Sequence, residues 1–141
     1  MWPGGGLVRL FKDKYQVISI SRTKRKELAG VKYFYGSVAD EQFVKGLYKQ
    51  LAKDYNIKYL INNAGVGRFG PPTQNNLKKI DTVFEAALVG TILNTTYAIP
   101  LMQECGGKIV NVMSTAALKG NPNETLYCAC KWGERGYTEG L

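Results

Sequence analysis

The stretch from Ser114 to Lys131, STAALKGNPNETLYCACK, contains a serine after an apolar segment, a tyrosine thirteen residues later and a lysine four residues after the tyrosine. A helix that includes Leu126 and the residues after it would place Tyr127 and Lys131 on one face, because residues i and i+4 are neighbours on a helix surface. A phenol titrates near pH ~10, and a nearby ammonium favours its ionised form, so such a hydroxyl can act as an acid or base closer to neutral pH. The same spacing also occurs by chance on amphipathic helices, so the pair alone is weak grounds for catalysis.

Two apolar segments upstream are typical of buried parallel strands. The first, KYLINNAG at 58–65, ends in Asn-Asn-Ala-Gly, and the second, KIVNVMS at 108–114, leads directly to Ser114. Together with Tyr127 and Lys131, in this order and at these spacings, they resemble the short-chain dehydrogenase/reductase family, with its NNAG and YxxxK motifs. The resemblance extends over nearly the whole chain.

The resemblance implies an α/β fold, a Rossmann-like, three-layer parallel sheet with helices on both faces. At 141 residues the chain is short for this family, so we expect residues 1–141 to form a single, partial dinucleotide-binding domain of about four strands. The family's first strand and complete glycine turn are missing, and so are the strands, cofactor loop and substrate lid that follow the catalytic helix. We expect the four strands to close up into a smaller sheet or to borrow an edge from a second copy, because a gap would leave backbone groups unpaired.

The resemblance also implies an oxidoreductase that interconverts a small-molecule carbonyl and an alcohol by hydride transfer with NADP(H). Ser114 would hold the carbonyl oxygen, Tyr127 would be the acid or base, and Lys131 would support the tyrosine and bind the nicotinamide ribose. Where the family has an asparagine that helps to hold a relay water, this chain has Ala87. A catalytically inactive or impaired relative, which binds nucleotide weakly or acts by association, therefore stays open as an alternative.

Candidate cofactor-binding residues follow the predicted strands. In dinucleotide-binding folds an acidic residue after the second strand binds the ribose of NAD, whereas basic residues accommodate the 2′-phosphate of NADP. The strand YQVISIS at 15–21 is followed by Arg22 and by no acidic residue, which favours NADP(H), and Ser37 stands where the family usually has an aspartate that contacts the adenine. The expected cofactor-binding residues are Gly4, Gly6, Ser21, Arg22, Thr23, Ser37, Val38, Asn63, Ala64, Gly65, Tyr127 and Lys131.

Helices are predicted around these strands. Gly4 to Gly6 either end a phosphate-binding turn that leads into a helix or belong to a flexible N-terminal tail. Asp40 is expected to cap a second, amphipathic helix. A long helical stretch from about Asn76 to Cys105 is expected to bend or break before Pro100. The resemblance implies that this stretch and the Tyr127 helix form the interface of a homo-oligomer.

Charge is unevenly distributed along the chain. Arg9 to Lys58 contains twelve basic and five acidic residues, so this segment carries +7 of the total net charge of +8. Such a surface suits nucleic acid, an anionic membrane or a phosphorylated small molecule. The chain has no helix-turn-helix, RNP-type or zinc-finger pattern, and we expect no nucleic acid partner, although a basic nucleic-acid-binding protein stays open as a third possibility. Part of the charge is the cluster Arg22, Lys24, Arg25 and Lys26.

The cysteine and histidine content and the length of the apolar runs argue against a metal site and a membrane-spanning segment. The chain has three cysteines, Cys105, Cys128 and Cys130, and no histidine, so we expect no metal site. The cysteines are expected to be reduced, apolar residues, with a redox role for Cys128 and Cys130 as the alternative. No apolar run approaches the ~18 to 20 residues that cross a membrane, and the first residues do not resemble a signal peptide. We therefore expect a cytoplasmic protein with no membrane partner.

Overall fold

The computed structural model describes residues 3–24 and 26–141, so Arg25 of the basic cluster lies outside the described residues. The strands are β1 (Val17–Ser21), β2 (Val31–Tyr35), β3 (Tyr59–Asn62) and β4 (Lys108–Asn111). The α-helices are α1 (Pro3–Phe11), α2 (Glu41–Leu51), α3 (Leu77–Phe84), α4 (Gly90–Ala98) and α5 (Thr125–Glu139). A π-helical turn, Glu85–Val89, joins α3 to α4, and 3₁₀ turns lie at Pro72–Gln74, Ile99–Leu101 and Thr115–Ala117. The predicted α/β class, with a parallel, incomplete sheet, is confirmed.

The four strands form two separate parallel pairs. β1 pairs with β2, and β3 pairs with β4, while β1 and β3 share no hydrogen bonds. A cavity of about 980 Å³ is lined by both β1 and β3. The expectation that the strands close up into one smaller sheet is therefore wrong for this chain.

One hydrophobic core extends beneath both strand pairs and explains why they stay apart. Its buried centre is formed by α2 together with the end of the long helix, namely Val44, Leu47, Tyr48, Leu51, Ala98 and Met102. Ile20 from β1 and Leu60 from β3 both pack against this centre. Each pair is thus anchored to the same helices, so closing the gap would pull one pair away from apolar contacts.

The described part of the chain begins with helix α1. α1 starts at Pro3, a residue whose fixed φ suits the first turn of a helix. Gly4 and Gly6 lie inside this helix, so the alternative of a flexible tail does not hold for residues 3–11. The predicted cap of α2 is confirmed, since the Asp40 carboxylate accepts a hydrogen bond from the Phe43 N–H at 3.1 Å.

The long helical stretch departs from α-helical geometry at two places. It ends in the 3₁₀ turn Ile99–Leu101 at Pro100, as predicted, because a proline cannot donate the next helical hydrogen bond. The π-helical turn Glu85–Val89 contains Ala87, which stands where the resemblance places an asparagine. Beside it, the Asn94 side-chain amide donates to the Gly90 carbonyl at 2.8 Å and to the Val38 carbonyl at 3.1 Å, which fixes the helix after the turn.

The same stretch is relevant to the expectation that no segment of the chain is apolar enough to cross a membrane. By length and composition alone, residues Leu77–Leu101 are sufficient to cross a membrane, contrary to the expectation from the sequence. The finding is weak grounds for a span, because the core helix of a folded domain meets the same criteria. Here 39% of the most apolar window is buried inside the structure.

Candidate active site

Helix α5 carries the predicted catalytic pair on one face. The Lys131 Nζ atom lies 6.0 Å from the centre of the Tyr127 ring, as the spacing of four residues predicts. The Tyr127 ring also packs edge-on against Phe69, with 5.8 Å between the ring centres. Phe69 itself is 63% exposed, so this ring contact lies at the surface of the chain.

The Lys131 side chain is buried, with 4% of the residue exposed. Its Nζ donates a hydrogen bond to the Val112 carbonyl at 3.1 Å and forms an ion pair with Glu134. A Cβ atom built on Gly65 would lie 3.9 Å from this Nζ. The ammonium therefore lies at the end of the Asn-Asn-Ala-Gly loop, and a glycine there leaves room beside it.

Glu134 and Thr91 belong to this site, and the sequence analysis missed both. Glu134 is 1% exposed, and its Oε1 accepts a hydrogen bond from the Thr91 hydroxyl at 3.0 Å. Its Oε2 faces the Lys131 ammonium and has no hydrogen-bond partner of good geometry among the described residues. The spacing of Lys131 and Glu134 was the available signal, because residues i and i+3 are neighbours on a helix.

Ser114 lies in the segment that connects β4 to α5. Its Oγ accepts a hydrogen bond from the Ala116 N–H at 3.2 Å and caps the 3₁₀ turn Thr115–Ala117. Both flanks of the serine contact α5, through the Lys131 bond to Val112 and through a 3.4 Å bond from Arg135 to the Ala117 carbonyl. Ser114 is thus fixed beside the helix that carries Tyr127, and its hydroxyl proton is available for donation.

The position of the missing relay residue is closed to solvent. Ala87 is 1% exposed and packs in a small apolar cluster with Val83 and Cys130. A Cβ atom built on Gly65 would lie 3.9 Å from the Ala87 methyl, the same distance as from the Lys131 Nζ. At the position where the resemblance places a water-binding amide, this chain thus has a buried methyl group that adjoins Gly65, as the Lys131 ammonium also does.

Most of the predicted cofactor residues line the cavity between β1 and β3, namely Ser21, Arg22, Thr23, Ser37, Val38, Asn63, Ala64 and Gly65. Leu7 and Val8 line it from α1, whereas Gly6, Tyr127 and Lys131 are not among its described lining residues. Lys131 instead meets the cavity at Gly65. The surroundings of Gly4 lie outside the described part of the structure.

Two of the hydroxyl residues in this lining make local hydrogen bonds. The Ser21 hydroxyl donates to the Thr23 carbonyl at 2.9 Å, which holds the loop that carries Arg22. The Ser37 hydroxyl accepts from the Ala39 N–H at 3.2 Å and keeps its own proton for a ligand. The cavity is thus lined by Arg22 and by hydroxyl groups, and the lysine ammonium lies beside one of its lining residues, Gly65.

Comparison with known proteins decides the family. The sequence profile of the short chain dehydrogenases matches residues 8–141. The chain belongs to the short chain dehydrogenase family. Carbonyl reductase family member 4 of Xenopus laevis is 30% identical over 147 aligned positions, which cover 98% of this chain and 62% of that protein. Human 3-oxoacyl-[acyl-carrier-protein] reductase is 33% identical over 106 positions, 74% of this chain and 45% of that protein. The chain thus spans about half the length of the curated short chain dehydrogenases that it matches.

A solved member of the family has the same fold. The short-chain dehydrogenase/reductase from Vibrio parahaemolyticus superimposes with a TM-score of 0.87 and 26% identity, over 97% of this chain and 63% of the other. Agreement over nearly the whole chain means that both strand pairs keep the positions they have in that short chain dehydrogenase. The gap between β1 and β3 therefore lies within an arrangement of strands and helices that the two proteins share.

Proposed function

We propose that this chain carries the nucleotide and catalytic residues of an NADP(H)-dependent oxidoreductase that interconverts a carbonyl and an alcohol. The carrying observation is the position of the Lys131 ammonium, beside Gly65 at the end of the cofactor cavity and on the same helix face as Tyr127. NADP(H), when bound, supplies or takes up the hydride. Asn63, Ala64 and Gly65 would line its nicotinamide ribose.

The protein groups then have distinct tasks at the substrate oxygen. Ser114 would donate a hydrogen bond that orients the carbonyl, and Tyr127 would give its hydroxyl proton to the same oxygen as the alcohol forms. Lys131 would bind the ribose hydroxyls and hold its ammonium beside the tyrosine ring. Positioned acid–base groups of this kind contribute about 100- to 10,000-fold in rate.

The preference for NADP(H) rests on Arg22. Its side chain is exposed at the end of β1, where it lines the cavity between two hydroxyl residues, Ser21 and Thr23. A guanidinium matches the geometry of a phosphate group and binds it through two N–H donors. 4-Hydroxyisoleucine dehydrogenase, a structural neighbour with a TM-score of 0.86 and 20% identity, was solved with NADH, so the fold alone does not select NADP(H).

Self-association through the long helix and α5 is part of the proposal. Leu77 is 71% exposed, Val89 is 37% exposed and Trp132 on α5 is 48% exposed. Apolar side chains that lie on two neighbouring helices favour burial against a second copy. Sedimentation analysis of the wild type and of Trp132→Glu tests this point, with a shift toward monomer expected for the variant.

One observation favours the second function, a nucleotide-binding relative without turnover. Ala87 puts a methyl group at the relay position, and it is buried in an apolar cluster. Loss of a relay group would slow proton transfer by about the 100- to 10,000-fold that positioned acid–base groups contribute. Cofactor binding without turnover is the result expected for this alternative.

The deciding experiment measures cofactor binding and turnover separately. Nicotinamide fluorescence would follow the titration of the chain with NADPH, and absorbance would follow NADPH oxidation with a panel of aldehydes and ketones. We expect NADPH to bind and turnover to fall by at least about 100-fold in Tyr127→Phe. The matched control is Tyr137→Phe, which removes a phenol hydroxyl from the same helix, ten residues further on, and should behave as the wild type.

The outcomes separate the two functions. NADPH binding with turnover that depends on Tyr127 supports the oxidoreductase. NADPH binding without turnover supports the inactive relative. Absence of binding by a chain shown by circular dichroism to be folded would contradict both.

A further inference from the structure

We propose that Glu134, held in place by Thr91, is a positioning residue that fixes the charged Lys131 amine at the Gly65 end of the cofactor cavity. The inference rests on the proposed function and assigns two residues to it that the family motifs do not include. It is carried by a continuous chain of contacts. Thr91 donates to Glu134 at 3.0 Å, Glu134 pairs with the Lys131 ammonium, and this ammonium donates to the Val112 carbonyl at 3.1 Å.

The contacts orient the amine because they come from three separate elements. Thr91 lies in α4, Val112 follows β4, and both Lys131 and Glu134 lie in α5. The Lys131 ammonium donates one hydrogen bond to the Val112 carbonyl and is held as an ion pair by the Glu134 carboxylate. A Cβ atom built on Gly65 would lie 3.9 Å from the nitrogen, so the amine held in this way adjoins the Asn-Asn-Ala-Gly loop.

Both members of the ion pair between Lys131 and Glu134 are buried. The side chains of Lys131 and Glu134 are 5% and 1% exposed. A charged amine in such a place is unfavourable without a partner, because desolvation disfavours the charged form. The Glu134 carboxylate supplies the opposite charge next to the ammonium. Since an apolar pair of similar volume is often as stable as a buried ion pair, stability alone is a weak reason for this arrangement.

The arrangement also lies next to the altered relay position. Ala87 approaches the same point beside Gly65 as the Lys131 amine does, and Thr91 follows Ala87 along the same helical stretch. The side chain at position 87 supplies no polar atom to the lysine. The polar side chains of α4 and α5 that hold the amine are therefore Thr91, which acts through Glu134, and Glu134 itself.

The first test observes the amine directly and requires no turnover. In protein labelled with ¹⁵N-lysine, proton–nitrogen spectra detect ammonium groups that are buried and held in ion pairs, because their protons exchange slowly with water. We expect a slowly exchanging signal that disappears in Lys131→Arg, which assigns it to Lys131. The signal should be lost in Glu134→Gln and retained in Glu139→Gln, whose carboxylate pairs with Arg135 on the exposed side of α5.

The Thr91 contact has its own pair of variants. Thr91→Val removes the hydroxyl with little change in volume, and Thr91→Ser keeps it. We expect faster exchange of the Lys131 signal in Thr91→Val and a signal close to wild type in Thr91→Ser. This pair also serves as the test if Glu134→Gln fails to fold. An unchanged Lys131 signal in Glu134→Gln, or in Thr91→Val if that variant is the test, would overturn the proposal.

The second test measures turnover. Glu134→Gln should lower kcat by about 10- to 100-fold, the range that partners of functional ligands contribute in metal sites. The KM for the carbonyl substrate should stay within about twofold, because Glu134 is buried and is not among the described residues that line the cavity between β1 and β3. Glu134→Asp should recover part of the lost kcat, a rescue that a purely structural role does not predict.

The two readouts separate this inference from the proposed function. Turnover by the wild type that is unaffected in Glu134→Gln overturns the positioning role and leaves the oxidoreductase standing. Absence of turnover by the wild type contradicts the proposed function, and the lysine spectra then still decide whether Glu134 holds the amine. In a double-mutant cycle, the combined Thr91→Val and Glu134→Gln variant should lose no more kcat than Glu134→Gln alone, since Thr91 acts through Glu134.

Discussion

Ile20 in β1 and Ile61 in β3 line the same cavity from two edge strands that do not pair with each other. On β1 the Ser21 carbonyl points to β2, where it accepts from the Gly36 N–H at 3.0 Å. On β3 the Asn62 carbonyl points away from the cavity and accepts from the Val112 N–H at 2.9 Å. Because backbone groups alternate in direction along a strand, the N–H and carbonyl groups of Ile20 and Ile61 face the gap.

This alternation predicts the pattern of amide hydrogen exchange. The amides of Ile18, Ile20 and Ile61 should exchange at least about tenfold faster than those of Ser19 and Leu60, which face paired strands. Exchange followed by two-dimensional NMR would resolve these neighbours. Uniform protection of all five would mean that a strand from a second copy fills the gap when the chain is in solution.

Arg22 is predicted to discriminate between the two nicotinamide cofactors. Arg22→Ala should weaken NADPH binding by about tenfold or more, since a hydrogen bond between charged groups contributes about 1.5 to 3 kcal/mol. NADH binding should be unchanged, because NADH lacks the 2′-phosphate. Lys24→Ala, a neighbouring exposed cation in the same cluster, is the control and should leave the ratio of the two affinities as it is. Equal loss of both cofactors in Arg22→Ala would contradict this role.

The buried phenol of Tyr48 is expected to make the free energy of unfolding depend on pH in the alkaline range. Burial raises the pKa of the Tyr48 phenol well above its ordinary value. The unfolded chain loses this proton above pH ~10 whereas the folded chain keeps it, so the contribution is fully present below that pH and is lost as the pH rises toward the raised value. The free energy of unfolding should fall by about 1.4 kcal/mol per pH unit from this residue, in urea titrations above pH ~10.

Two variants check the assignment. Tyr48→Phe should remove this part of the alkaline slope, at the cost of the 3.3 Å hydrogen bond to Asn94 at all pH values. Tyr59→Phe changes a tyrosine that is 42% exposed and should leave the slope as in the wild type. An unchanged slope in Tyr48→Phe would show that other groups cause the loss of stability.

The three cysteines are predicted to differ in thiol reactivity. Cys105 is exposed, whereas Cys130 is fully buried and burial raises the pKa of its thiol. Since the thiolate is the reactive form, one thiol should react rapidly with a disulfide reagent near pH 8 and the two buried ones only after denaturation. Cys105→Ser should abolish the rapid phase. A second rapid thiol in the native chain would instead support the redox alternative for Cys128 and Cys130.

Local patterns in the sequence were sufficient for most of the elements. Apolar residues spaced four apart and the cap at Asp40 predicted α2, and the β-branched run before Arg22 predicted β1 to within two residues. The spacing of Tyr127 and Lys131 was enough to place both on one helix face. These predictions succeeded because each depends on neighbours within one turn or one strand, which the sequence contains directly.

The sequence by itself determined the family, the strands and helices, and the residue types that surround the cofactor cavity. Only the tertiary structure decided that the two strand pairs stay apart and that Glu134 and Thr91 support the lysine. The gap depends on how tightly the core beneath anchors each pair, and the Thr91 contact joins residues 43 positions apart in the chain. Both depend on packing and charge contacts between segments that are distant in the sequence. These contacts form only when the helices pack together.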